Sequence, residues 1–133
     1  MRQESQYWIR EARESMITAQ ALFEKKRYLE SAFFCHLTAE KALKAHYAFT
    51  VSKPAPKTHN LLLLAAESHT LDKIPTQYRD LLAELMPFQI EGRYPVDRQR
   101  LIQDNTPEMV GLLLKKTEEL LKWLEQNLKF EQL

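Results

Sequence analysis

Three ionisable side chains recur at four-residue spacing in one predicted helix. His36, Glu40 and Lys44 stand at positions i, i+4 and i+8, so they share one stripe along the helix surface. In one interpretation Glu40 and Lys44 form an intrahelical ion pair worth roughly 0.3–0.5 kcal/mol, with His36 at the edge of the core. In the other, the stripe lines a polar groove in which Lys44 meets a phosphate. The spacing by itself favours the ion pair.

A fourth candidate, His59, follows a proline-containing linker and opens a predicted helix in the run KTHNL, residues 57–61. Free backbone amides at the start of a helix favour a bound anion, so His59 is a candidate ligand-binding residue. The alternative is a histidine that orders the entry to the helix.

A loop at residues 91–100 holds three arginines and Tyr94. The planar fork of arginine suits phosphates, and a tyrosine ring can stack on a base. Arg93 stands between Gly92 and a Tyr-Pro turn, which favours a fixed position for its side chain. A solvated loop, with Arg93 paired to Glu91 or to a carboxylate of the bundle, carries equal weight.

Other catalytic patterns do not occur in the chain. Its four histidines and one cysteine show no metal-ligand spacing. The sequence contains no glycine-rich phosphate loop, G-x-S-x-G, H-E-x-x-H or CxxC motif. We therefore assign no catalytic residue and expect no metal and no cofactor.

The candidate residues lie within or between helices that the hydrophobic periodicity predicts. These predicted helices are residues 5–24, Tyr28–Val51, a short one capped by Thr58 or Asn60, one from Pro75 or Thr76 to Pro87, and a last one starting at Thr106-Pro107. Residues 87–105 are predicted to be irregular because Gly92 and Pro95 break the pattern. The sequence thus predicts one all-α domain over residues 1–133, an antiparallel up-and-down bundle of four to five helices.

Composition narrows the classes of partner. Lys and Arg number 19 and Asp and Glu 18, a net charge of +1, so any contact with a polyanion must come from a local cluster of charge. The single cysteine fits a reducing compartment. The charged N-terminal stretch has no apolar core and no segment is long and apolar enough for a bilayer. We expect a cytoplasmic protein without membrane contact.

The run YLESAFFCHLTAEKALKA, residues 28–45, resembles the signature helix of HEPN domains, the higher-eukaryote and prokaryote nucleotide-binding family. Trp8 and Ala12 in the first helix, residues 58–61 after the linker, and the Arg93-Tyr94-Pro95 element follow in the same order as in that family. The resemblance covers roughly residues 7 to 128.

The resemblance implies a four- to five-helix bundle that commonly forms a homodimer. Prokaryotic members often accompany a minimal nucleotidyltransferase in toxin–antitoxin or defence modules. Many members are metal-independent endoribonucleases that use an Arg-x(4–6)-His motif, which meets its copy from the second subunit in a shared cleft.

This chain departs from that motif because no histidine follows Arg93. The main general acid and base of the ribonuclease mechanism is therefore missing. We expect a protein that binds a nucleotide or RNA rather than one that cleaves it, through the candidate ligand-binding residues Glu40, Lys44, His59, Arg93 and Tyr94. The alternatives are a metal-independent endoribonuclease that uses His59, and a non-catalytic helical scaffold that masks a partner.

Overall fold

Six α-helices and one 3₁₀ helix make up the described part of the chain. The computed structural model describes residues 2–90 and 94–128, without the side chain of residue 90. The helices are α1 (Arg2–Glu24), α2 (Tyr28–Val51), α3 (Leu61–Glu67), α4 (Thr76–Leu85), the 3₁₀ helix Met86–Ile90, α5 (Pro95–Asp104) and α6 (Pro107–Gln126). The all-α bundle class is confirmed. None of the helices in these ranges is long and apolar enough to cross a membrane.

Helices α1 and α2 form an antiparallel hairpin whose seam is made of small side chains. Ala12 and Ala19 of α1 and Ala32 and Ala39 of α2 have at most 1% of their surface exposed. Short side chains let the two backbones approach closely, and the Ser31 hydroxyl donates a 2.7 Å hydrogen bond to the carbonyl of Ala19 across the seam. Helical periodicity predicts an inner face on each helix: Trp8, Ala12, Ser15, Ala19 and Leu22 on α1, and Ala32, Cys35, Ala39, Ala42 and Leu43 on α2. The α2 face is buried as predicted, and on α1 only Trp8 and Leu22 are partly exposed.

Helix α6 closes the bundle against α1 and α2. The Thr106 hydroxyl accepts a hydrogen bond from the amide of Met109, and proline occupies the first turn, as the sequence predicts. Arg13 of α1 forms two hydrogen bonds with the Glu125 carboxylate, at 3.0 and 3.1 Å. The buried face of α6 consists of Val110, Leu113, Thr117, Leu120, Leu121 and Leu124.

Helix α5 lies in the stretch predicted to be irregular, so that prediction is wrong for residues 95–104. Pro95 occupies the first turn of the helix, where its missing N–H costs nothing, and Asp97 complements the positive end of the dipole. The helix buries none of its residues, so it carries no apolar stripe from which periodicity could have predicted it. With α5 included, the described residues form six α-helices, where the sequence predicted four to five.

The connection from α2 to α3 returns along the surface of α2. Helix α2 is followed by its C-cap, Ser52, which has a left-handed backbone with a φ of 59°. The Glu4 carboxylate of α1 then accepts a hydrogen bond from the Ala55 amide, 3.0 Å long. Of the two caps left open by the sequence, Asn60 is the cap of α3, since its side chain accepts from the Leu63 amide. This path places residue 59 beside α2.

His46 makes the stability of the bundle depend on pH. Its Nε2 donates a 2.7 Å hydrogen bond to the carbonyl of Leu124, and the residue is 6% exposed. Burial lowers the pKa of His46 below its ordinary value of 6.5. The unfolded chain therefore binds the proton more readily than the folded chain, so His46 contributes its full stability well above pH 6.5, and this contribution is lost as the pH falls below that value.

We expect His46→Leu to reduce this pH dependence, measured by urea denaturation at pH 7.5 and 5.5. At pH 7.5 the variant should lose about 1–3 kcal/mol because the Leu124 carbonyl loses its donor. The exposed His69, replaced by Asn, is the control and should match the wild type at both values. An unchanged pH dependence in His46→Leu would contradict the assignment.

Candidate functional site

His59 is held at two points by side chains of α2. The Nε2 of His36 donates a 3.0 Å hydrogen bond to the carbonyl oxygen of His59. The Nδ1 of His59 donates a 2.9 Å hydrogen bond to Oε1 of Glu40. The first contact fixes the main chain of His59 and the second fixes its ring, so the residue is rigidly oriented although it lies in a loop.

The Glu40 carboxylate is itself held by Lys44, one turn further along α2. The Nζ of Lys44 donates a 3.0 Å hydrogen bond to Oε2 of Glu40, and it lies 5.2 Å from the centroid of the Trp8 ring. Glu40 is 4% and Lys44 6% exposed, so this is a buried ion pair. Burial of two charges is tolerated because they neutralise each other and each carboxylate oxygen accepts a hydrogen bond.

The ring of His59 is the surface-accessible member of this cluster, with 65% of its side chain exposed. Because the proton that Nδ1 shares in the hydrogen bond to Glu40 stays on Nδ1, Nε2 of the neutral ring holds the lone pair. A histidine oriented by a carboxylate in this way can exchange a proton at Nε2 or, once protonated, donate to a phosphate oxygen. Contact with a ligand would therefore occur through Nε2.

His36 is the buried residue that holds the main chain of His59 in place. It is 1% exposed, and its Nδ1 lies 3.7 Å from Oε1 of Glu40 without a hydrogen-bond partner among the residues that the structure describes. Burial lowers the pKa of His36, opposed by the nearby Glu40 carboxylate. The ring is therefore neutral at pH 7, with its proton on the Nε2 that binds the His59 carbonyl. His36 positions His59 and does not reach the surface.

The structure thus brings together three of the five predicted site residues, Glu40, Lys44 and His59. The intrahelical ion pair, which the spacing favoured, is confirmed. A direct contact between Lys44 and a phosphate stays a prediction, and it would require the ammonium to leave the Glu40 carboxylate. The role of His59 in ordering the entry to α3 is compatible with the same geometry, because Asn60 directly follows it as the cap.

No contact between described residues joins Tyr94 to this cluster. Arg93 lies outside the described residues, together with Glu91 and Gly92. Tyr94 is 61% exposed and precedes α5, where its carbonyl accepts a hydrogen bond from the Arg98 amide. A role for Tyr94 and Arg93 in binding stays a prediction.

Trp8 is the member of the cluster that sequence reasoning missed. The spacing of α1 placed it on the inner face, but the sequence held no signal that its ring would cover Lys44, since the two residues lie on different helices. The Trp8 Nε1 is buried and has no hydrogen-bond partner among residues 2–90 and 94–128. In the same ranges, no three His, Cys, Asp or Glu side chains are placed to hold a metal ion.

The fold and the cluster define an all-α bundle protein whose second helix carries a buried ion pair beneath an exposed histidine. Residues 5–127 match the family model described as "HEPN domain". The chain therefore belongs to the HEPN domain family, which supports a function related to nucleotides or RNA. No curated protein and no solved structure matched the chain.

We expect Glu40→Gln to destabilise the protein by about 3–5 kcal/mol, because it leaves the Lys44 ammonium buried without its counter-charge. The double variant Glu40→Gln/Lys44→Met should recover most of this loss, since it removes both charges. Urea denaturation of Glu40→Gln, Lys44→Met and the double variant gives the coupling energy between Glu40 and Lys44.

The control is Glu11→Gln, which removes a partly exposed carboxylate 3.8 Å from Lys41. This change should cost no more than about 1 kcal/mol. Equal losses for Glu40→Gln and Glu11→Gln would show that the Glu40–Lys44 pair is not buried in solution.

Proposed function

We propose that the chain binds RNA or a nucleotide at the surface around His59 and does not cleave it. The observation that carries the proposal is the exposed His59 ring fixed at two points by His36 and Glu40. A fixed side chain loses little freedom when a ligand binds, which favours affinity. The charges of Glu40 and Lys44 cancel, so a proton on His59 gives the cluster a net positive charge toward a phosphate. Arg93 and Tyr94 are proposed to add phosphate and base contacts.

The wider setting is proposed from the family. As a HEPN protein, the chain is proposed to act in the cytoplasm as a homodimer, together with a minimal nucleotidyltransferase in a toxin–antitoxin or defence module. Support comes from family membership over residues 5–127 and from the resemblance of residues 28–45 to the signature helix.

One observation also favours a second candidate function, a metal-independent endoribonuclease. A histidine whose Nδ1 donates to a carboxylate has the arrangement of an acid–base catalyst. In that reaction Nε2 of His59 would take the proton of an RNA 2′-hydroxyl, the 2′-oxygen would attack phosphorus, and the bond to the 5′-oxygen would break. A water molecule protonates that leaving oxygen, and His59 later returns its proton to the solvent, which completes the balance. The absence of a histidine after Arg93 makes this the second candidate.

Incubation of RNA with the wild type, His59→Ala and Arg93→Ala in the presence of EDTA tests both candidates. Bound and cleaved RNA are resolved on the same gel. We expect the wild type to bind RNA without cleaving it, and each variant to bind about tenfold more weakly because a charge-assisted hydrogen bond is lost. His69→Ala, which changes an exposed histidine outside the cluster, is the control and should bind like the wild type.

Cleavage that disappears in His59→Ala would make the protein a ribonuclease and would overturn the binding proposal. Equal affinity in all four proteins would place RNA binding away from His59 and Arg93. Absence of both binding and cleavage would favour the third interpretation, a helical scaffold that masks a partner.

The proposed homodimer is tested by light scattering on the purified chain. We expect a mass twice that of one chain over a tenfold range of concentration. A mass of one chain throughout would contradict the homodimer, and mixing with a minimal nucleotidyltransferase would then test whether the two form a heteromeric complex.

A further inference from the structure

One side of α6 carries a row of side chains that the bundle does not bury. Its members recur in alternate steps of three and four residues, the spacing with which one helix packs along another in a coiled coil. All of them are exposed or half-buried, and the row spans about 25 Å of helix. This row, which we call the α6 stripe, consists of Met109, Leu112, Lys116, Glu119, Trp123 and Gln126.

Helix α4 lies beside the α6 stripe and forms a groove with it. Three cavities of about 340, 230 and 400 Å³ follow one another along α6. The first and second share Glu84 and Lys116, and the second and third share Tyr78 and Glu119, so the three form one continuous groove. In the third cavity the rings of Tyr78 and Trp123 lie 6.3 Å apart.

The groove has apolar surface at both ends and charge between them. Met109 and Leu112 line its first cavity and are 48% and 52% exposed. Trp123 lines the third, and Lys116 and Glu119 lie between. Adjoining exposed apolar side chains mark surfaces that contact another protein, and methionine and tryptophan are enriched at such contacts.

The α6 stripe is complementary to a second, antiparallel copy of itself. Lys116 and Glu119 lie equally far from a point between residues 117 and 118, and Leu112 and Trp123 are also equidistant from that point. A two-fold axis through the point therefore places Lys116 of one chain opposite Glu119 of the partner subunit. The same axis places Leu112 opposite Trp123 of the partner subunit. Opposite charges thus meet in the middle, with apolar side chains on both sides of them.

We propose that the α6 stripe and its groove bind a second copy of this chain, with the two α6 helices antiparallel about this axis. The Nζ of Lys116 lies 3.8 Å from a Glu84 carboxylate oxygen of its own chain, so in the dimer it lies between that carboxylate and Glu119 of the partner subunit. The proposal rests on the homodimer proposed above and names its surface. No residue that lines the groove belongs to the His59 cluster, so both His59 rings stay accessible.

A helix of a different protein is the other occupant that a groove of this shape could take. Such a helix would not require the residues of the α6 stripe to complement one another. The pairing of Leu112 with Trp123 and of Lys116 with Glu119 about one point is needed only where the surface meets its own copy. The shared cleft implied by the family resemblance is built on an Arg-x(4–6)-His motif that this chain lacks, so the resemblance does not predict this surface.

Reversal of the central charges tests the surface, with dimer dissociation constants measured by sedimentation equilibrium. Lys116→Glu brings two acidic side chains together at both central contacts, and Glu119→Lys brings two lysines together. Each variant should raise the dissociation constant at least about tenfold. The double variant Lys116→Glu/Glu119→Lys restores opposite charges and should stay within about threefold of the wild type. Both positions are exposed or half-buried, and thermal unfolding checks that each variant folds.

A mixture of the two single variants tests the antiparallel register. In the mixed dimer one chain carries two acidic residues at the central positions and the other carries two lysines, so both central contacts join opposite charges. We expect this mixture to dimerise at a concentration at which each variant alone is monomeric. The control is Arg10→Glu, which reverses an exposed charge on α1 outside the groove lining and should leave the dissociation constant within about twofold.

Three results would overturn the proposal, and they differ in what else they affect. A monomeric wild type would overturn both this surface and the homodimer. A dimeric wild type whose dissociation constant is unchanged in Lys116→Glu and Glu119→Lys would overturn this surface alone. Folded single variants that stay monomeric when mixed would contradict the antiparallel register. The RNA gel tests binding at His59 independently of all three results.

Discussion

The buried ion pair between Glu40 and Lys44 is the constraint on which the rest of the site depends. Two opposite charges at 4% and 6% exposure persist only while each has its partner. Lys44 neutralises the carboxylate and occupies one of its oxygens, which leaves the other oxygen to accept from His59. The pair therefore determines the orientation of the exposed imidazole and ties the linker before α3 to the side of α2.

The close packing of α1 on α2 makes this burial possible. Alanine and serine at the seam let the helices approach, and the approach brings the Trp8 ring over the Lys44 ammonium. An aromatic face replaces part of the hydration that the ammonium loses on burial. Packing of small residues and stabilisation of a buried charge are thus two results of the same helix–helix contact.

Helix α2 carries two regions that differ in their balance of charge. Around Glu40 the fixed charges cancel, so the charge presented to a ligand depends on the protonation of His59. Around Glu30, the charged residues that line a cavity at the start of α2, in the described part of the chain, are Lys26, Arg27, Arg98 and Glu30 itself. Helix α5 contributes to the second region, where the Arg98–Glu30 ion pair joins it to α2 and the partly buried Leu101 packs against the core.

Features that depend on neighbours along the chain could be predicted from the sequence. Helical periodicity predicts the stripe of His36, Glu40 and Lys44 and the inner faces of the long helices. Local hydrogen bonding predicts the cap at Thr106. Contacts between different elements could not be predicted in this way: His59 with Glu40, Trp8 with Lys44, and Arg98 with Glu30. Helix α5 escaped prediction for a related reason, since a helix without a buried face leaves no periodic signal. Side chains far apart in sequence meet because the helices pack against each other. Their spacing along the chain does not predict the distance between them in the fold.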